Sequence, residues 1–267
     1  MLSEIMLGQY FPGDSFIHRL DPRTKLIATF LFIVALFMAR GWAMYASVTA
    51  FAVFVVLLSR LPVLTVLRSL KPVLFIVVIT LVIHALTFPG QEILWQWRFF
   101  KVTSEGLKLG GQTALRLLLL LLFSSILTFT TSPIVLTDGI ERLLRPLKCV
   151  GVPAHELAMM MTIALRFIPT LLEETDRIIK AQTARGADFG DGGLFARARN
   201  MLPLLIPLFV SAFRRADELA VAMEARCYRG GRGRTRMYEL AYAPGDWAAF
   251  TAVLLLTIWV AAARYYS

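Results

Sequence analysis

The chain has 267 residues, of which 57% are hydrophobic and only 17% are charged, and its formal net charge is +10. Soluble domains carry about 25% charged residues, so this composition argues against a soluble globular protein and favours an integral membrane protein. Anionic lipid headgroups are sufficient to explain the excess of basic residues, and no nucleic-acid partner is predicted.

Five apolar runs with almost no charge predict five membrane spans. They are Leu26–Ala39, Trp42–Leu58, Val73–Phe88, Leu117–Thr131 and Trp247–Ala263. Each run is shorter than the roughly 20 residues that cross a bilayer upright. Flanking basic side chains such as Lys25, Arg40 and Arg264 can reach the interface and extend the spans. The predicted fold is therefore all-α and polytopic.

The distribution of charge predicts the organisation and the orientation of the chain. Four spans fall in residues 1–137, a cytoplasmic or interfacial region with two long helices follows in 138–237, and the last span lies in 238–267. Sixteen of the 28 Lys and Arg residues lie between Arg142 and Arg236. Under the positive-inside rule, the N-terminus and this long region lie in the cytoplasm of a multi-pass protein of the cell membrane.

The region between the fourth and fifth spans contains two predicted helical arms. The first begins at Pro153, is apolar to Leu172 and then becomes amphipathic, with polar and apolar residues at helical spacing. The second is apolar over Leu202–Phe213 and charged beyond it. Because prolines interrupt both apolar halves, we expect these halves to lie at the membrane boundary on the cytoplasmic side.

The two arms end in matching tripeptides, which we call the tips. The first tip is Ala184-Arg185-Gly186 and the second, 41 residues later, is Ala225-Arg226-Cys227. A local explanation is available for the first: Gly186 in the left-handed conformation would end the helix, and the helix dipole favours Arg185 there. The repetition favours a second explanation, in which each arginine docks in a partner groove that carries carboxylates.

Opposite charges occupy equivalent positions in the two arms. Glu173 and Glu174 precede the first tip by the same spacing as Arg214 and Arg215 precede the second. This pattern predicts that the arms attract each other where they meet. Solvated or headgroup-facing charges would give the same pattern, so both interpretations stay open.

The sequence lacks the residues that an ATPase or a hydrolase needs. It contains no GxxxxGK[ST] phosphate-binding loop and no catalytic or metal-ligating constellation, so we predict a protein that is not an enzyme and binds no cofactor. An alternative is a stand-alone secondary transporter or channel, which would place ionisable residues or broken helices at the bilayer midplane. The spans are nearly free of charge, which argues against that alternative. It favours a subunit that works through its cytoplasmic arms and their partners.

Several segments together resemble the EcfT family, the membrane T component of energy-coupling factor vitamin transporters. They are His18–Leu26, Leu165–Leu171, Ala181–Gly186, Pro207–Phe213 and Arg215–Arg226. The length and the N-terminus are most similar to the shared T component that serves several substrate-binding subunits.

The resemblance implies a function and a set of partners. The two tips would end coupling helices that cross in the cytoplasm, with Arg185 docking in one ABC-type ATPase and Arg226 in the other (EcfA and its homologue). The helices would also support membrane-embedded S components that bind a vitamin or a metal, and would pass ATP-driven motion to them. Cys227 stands where the family has glycine, and its Cβ disfavours the left-handed conformation.

Overall fold

The structure is a computed structural model that describes residues 10–87, 93–97, 100–187, 193, 199–230 and 240–266. Its helices are α1 (Pro22–Met38), α2 (Gly41–Ser59), α3 (Val63–Thr87), α4 (Ser104–Thr130), α5 (Pro133–Leu144), α6 (Ala154–Ala184), α7 (Leu202–Ala225) and α8 (Pro244–Tyr266), with a 3-10 turn at Arg145–Val150. The predicted all-α fold is confirmed. The one addition in the described part of the chain is an antiparallel hairpin of β1 (Ile93–Trp97) and β2 (Phe100–Thr103).

Five described helices are long and apolar enough to cross a membrane, and four of them coincide with predicted spans. These four are α2, α3, α4 and α8. The predicted first span forms α1, a helix of 17 residues, and the fifth helix with the length and hydropathy of a span is α6. The apolar half of α6 was expected at the membrane boundary because of Pro169. That residue lies inside a continuous helix of 31 residues, and the expected position at the membrane boundary stays a prediction.

The chain divides into two compact units. One comprises the described residues of 10–139 with 240–266, and the other comprises the described residues of 140–230. The first unit contains the main apolar core, which α1, α2, α4 and α8 build around stacked Phe32 and Phe123, whose ring centroids are 3.9 Å apart. In the same unit α4 approaches α3 closely at Gly106, where a Cβ would lie 2.7 Å from the carbonyl oxygen of His84.

A buried polar junction joins the starts of α1 and α8 within the first unit. Asp21 is the N-cap of α1, and its carboxylate accepts a hydrogen bond from the backbone N–H of Arg23 at 2.9 Å. The Asp246 carboxylate accepts one from the N–H of Asp21 at 2.7 Å and one from the N–H of Ala243 at 2.8 Å. Pro22 takes the first helical position, as the Asp-Pro sequence predicts.

Candidate functional site

The two predicted arms are single helices, α6 and α7, that run antiparallel to each other. Three contacts connect them in order: the Gln182 amide with the Pro203 carbonyl oxygen at 3.4 Å, Arg215 with Glu174 at 3.3 Å, and the Tyr228 hydroxyl beyond α7 with the Met159 sulfur at 2.9 Å. At 1.5 Å per residue α6 is about 46 Å long and α7 about 36 Å. The antiparallel order places the two tips at opposite ends of the pair.

The first tip closes α6 with a Schellman motif. The N–H of Gly186 donates to the carbonyl oxygen of Thr183, and the N–H of Ala187 donates to that of Gln182, both at 3.0 Å. Gly186 has the left-handed φ of 88° that this motif requires. A Cβ built on Gly186 has nothing within 4 Å, so the backbone beside Arg185 is open to a partner surface.

The second tip has the same backbone geometry. The N–H of Cys227 donates to the carbonyl oxygen of Glu224 at 2.8 Å, and the N–H of Tyr228 donates to that of Met223 at 3.0 Å. Cys227 is left-handed with a φ of 57°. Arg226 adopts φ −90° and ψ 14°, against −87° and 5° at Arg185. The Cβ of Cys227 therefore does not prevent the left-handed cap.

Contacts beyond the tip fix the residue that follows Cys227. The Tyr228 hydroxyl donates to the sulfur of Met159, and its oxygen lies 3.5 Å from Nε2 of His155. His155 Nδ1 lies 3.0 Å from a carboxylate oxygen of Glu141. The corresponding residue of the first tip is Ala187, whose side chain is too short for such contacts. Sequence reasoning missed Tyr228 and His155 because they are 73 positions apart and no local pattern links them.

Exchanging the small residue at each tip should have unequal effects. A non-glycine residue in the left-handed region costs about 1–2 kcal/mol, so Gly186→Cys should lower the stability of the α6 terminus by about that amount. Cys227→Gly removes the same strain at the α7 terminus and should leave it unchanged or more stable. Amide hydrogen exchange at Ala187 and Tyr228 measures the stability of the C-terminal caps of α6 and α7, because these two amides donate the capping hydrogen bonds. Equal loss of protection in both variants would contradict the expectation.

All six tip residues are exposed, including both arginine side chains. Each tip therefore presents a fixed backbone turn, a small residue and an accessible guanidinium. A guanidinium at such a position can form two parallel hydrogen bonds with a carboxylate. The capped helix end also fixes the backbone position of each arginine before a partner binds, which lowers the entropy lost on docking.

The four charges predicted to link the arms do not behave alike. Glu174 and Arg215 form an ion pair at 3.3 Å, with 27% and 32% of their side chains exposed. Among the described residues it is the ion pair that joins α6 to α7. Glu173 and Arg214 are more exposed and lie outside this contact. The structure thus brings one glutamate and one arginine of the predicted set together.

The Glu174–Arg215 pair should show a small coupling energy. Exposed pairs contribute about 0.2–1 kcal/mol, and this partly exposed pair should lie towards the upper end of that range. A double-mutant cycle with Glu174→Gln and Arg215→Gln, scored by thermal unfolding, measures it. The same cycle on Glu173 and Arg214 is the matched control and should give no coupling. Equal values for the two cycles would contradict the pairing.

One face of α7 carries large apolar side chains that are exposed. They are Ile206, Phe209, Val210, Phe213 and Val221, each at least 57% exposed. The first four recur at the three- and four-residue spacing of a single helical face. An exposed apolar stripe of this kind marks a lipid or protein contact.

The chain is similar to known transport proteins over almost its whole length. Residues 13–237 match the family model CbiQ, described as cobalt transport protein. The energy-coupling factor transporter transmembrane protein EcfT of Acidaminococcus fermentans is 62% identical over 97% of this chain and 96% of its own. The proteins of the same name from Ruminiclostridium cellulolyticum and Bacillus subtilis are 51% and 49% identical, with at least 96% of each chain covered.

Proposed function

This chain belongs to the EcfT family, the transmembrane proteins of energy-coupling factor transporters, and on that basis we propose that it couples ATPase motion to substrate uptake. Membership makes it a membrane-embedded component of a transporter, as its sequence predicts. Within that component we assign the coupling role to residues 138–237, and the membrane anchoring to residues 1–137 and 238–267. The shared subtype that serves several substrate-binding subunits stays a prediction.

The observation that carries the proposal is the duplication of one tip geometry. Two helices of different sequence end in the same Schellman closure, each with an exposed arginine at the C-cap. A local capping role would not require the arginine in both copies. Two equivalent docking elements at opposite ends of an antiparallel pair suit two similar partners, and we assign these as two ABC-type ATPase subunits.

The apolar stripe of α7 supports a second contact. In the proposed arrangement it faces the bilayer or the substrate-binding S component, while the charged residues and the tips face the cytoplasm. The chain contains no phosphate-binding loop, so ATP hydrolysis is assigned to the partners and this subunit to a non-enzymatic role. The excess of basic residues near the tips supports a cytoplasmic location of the N-terminus and of both tips.

Affinity purification of the chain from its native membrane tests the proposal. We expect two ABC-type ATPases and at least one small membrane protein to be recovered with it in defined stoichiometry. Liposomes that contain all of these components should take up substrate only when ATP is supplied. Transport by liposomes that contain this chain alone would overturn the proposal in favour of a stand-alone transporter.

A further inference from the structure

An apolar cavity of about 230 Å³ lies among α1, α2, α4 and α8. Its walls come from the N-terminal halves of α1 and α8, from the C-terminal halves of α2 and α4 and from the segment just before α1, for example Ala28, Val253, Val55 and Ile126. These halves lie on the same side of the bundle. The cavity therefore lies within the depth of one leaflet.

Small side chains on one helix create the space. The helix α8 contributes Ala248, Ala249 and Ala252 to the wall, and α2 contributes Phe51 and Phe54. Both sets of side chains line the same cavity, and the short alanine side chains leave it unfilled on the α8 side. Its volume exceeds the roughly 150 Å³ of an apolar protein cavity that binds benzene.

Three of the four polar side chains that line the cavity, those of Lys25, Thr29 and Thr130, are engaged within the protein. The Lys25 ammonium donates to the carbonyl oxygens of Thr130 at 2.9 Å and His18 at 3.1 Å, and to the Thr131 hydroxyl at 3.2 Å. The hydroxyls of Thr29 and Thr130 each donate at 2.8 Å to the carbonyl oxygen four residues earlier. Water needs two to four polar partners at such a site, so the cavity suits an apolar ligand.

The cavity opens towards the lipid. Phe54, Ala248 and Ala252 belong to its wall and are also exposed. Around Phe54, the α2 surface continues with exposed Val53 and Leu57. Both α2 and α8 have the length and hydropathy to cross a membrane. A molecule that enters between them therefore comes from the hydrocarbon layer.

We propose that this cavity binds one acyl chain of a membrane phospholipid. The cavity is apolar, lies at leaflet depth and opens between two spans, and a hydrocarbon chain meets each of these conditions. Its headgroup stays at the membrane surface near the helix ends, outside the cavity. The proposal requires the membrane location of the chain and does not depend on its role in coupling.

Photolabelling from within the bilayer tests the proposal. The full-length chain is placed in nanodiscs of phosphatidylethanolamine and phosphatidylglycerol that contain a phosphatidylcholine with a diazirine in its acyl chain. Phe123 and Ile126 line the cavity but are only 6% and 4% exposed, so bulk lipid cannot reach them. We expect photolabel on these two residues. Label confined to exposed residues such as Leu255 would overturn the proposal.

A pair of matched variants distinguishes label that enters through the cavity from label that reaches Ile126 because the protein has partly unfolded. Ala252→Phe fills the opening, whereas Ala262→Phe adds the same bulk to an exposed position of α8 outside the cavity wall. Label on Ile126 should be lost in the first variant and retained in the second. Ala252→Leu is a smaller replacement for use if the phenylalanine variant does not fold. Persistent label in a folded, filled variant would overturn the proposal.

Discussion

Replacing Arg185 or Arg226 by alanine should release one of the two proposed ATPase subunits from the assembled transporter. Truncating one partner of a buried, hydrogen-bonded charge pair costs about 2–5 kcal/mol, and each 1.4 kcal/mol corresponds to a factor of ten in affinity. The expected loss is therefore about 30-fold or more for each tip. Because the tips lie at opposite ends of α6 and α7, the single variants should each retain one ATPase.

Co-purification of both ATPases with each variant, together with ATP-driven uptake, measures this effect. Arg177→Ala is the matched control, since Arg177 is also exposed and lies on the same helix as Arg185. Lysine in place of either tip arginine keeps the charge but removes the bidentate fork, so it should recover only part of the affinity. Normal assembly and uptake in both alanine variants would refute the anchoring role of the tips.

Local sequence patterns predicted the parts of the fold that depend on neighbouring residues. Asp21 and Pro22 predicted the start of α1, and Gly186 predicted the left-handed end of α6, because a cap needs only the residues beside it. Apolar runs predicted most of the spans. The same reasoning treated Pro169 as an interruption of the apolar half of α6, whereas the helix continues through it.

Features that depend on distant residues were not accessible from sequence. Cys227 adopts a left-handed backbone against its own preference, in a turn whose next residue, Tyr228, contacts Met159 on another helix. The equal spacing of the two charge pairs suggested contact between the arms. Which glutamate meets which arginine depends on the rotation of each helix about its axis, and the structure selects Glu174 and Arg215.

The junction between α1 and α8 is the clearest long-range feature, and Asp246 holds it together. One carboxylate oxygen accepts from the N-cap residue of α8, Ala243, in the manner of a capping box. The other accepts from Asp21, the N-cap residue of α1, which is 225 positions away. Asp246 itself is only 2% exposed, so water cannot replace its bonds.

Asp246→Ala should therefore destabilise the first unit strongly. It leaves the buried N–H of Asp21 without an acceptor, at a cost of about 1–3 kcal/mol, and it also removes the part-buried cap bond to Ala243. A loss of 1 kcal/mol lowers the melting temperature by about 2–4 °C in proteins of 150–250 residues, so a drop of several degrees is expected for the detergent-solubilised chain. Asp246→Asn keeps one acceptor oxygen and should fall between the wild type and the alanine variant.

The control for this experiment is Asp14→Ala, which removes an exposed carboxylate from the same unit. It should leave the melting temperature unchanged, because an exposed aspartate exchanges its bonds with water at little cost. If Asp246→Ala unfolds at the same temperature as Asp14→Ala, the junction contributes nothing to stability. A selective loss in Asp246→Ala would instead show that one buried carboxylate joins the first helix of the bundle to the last.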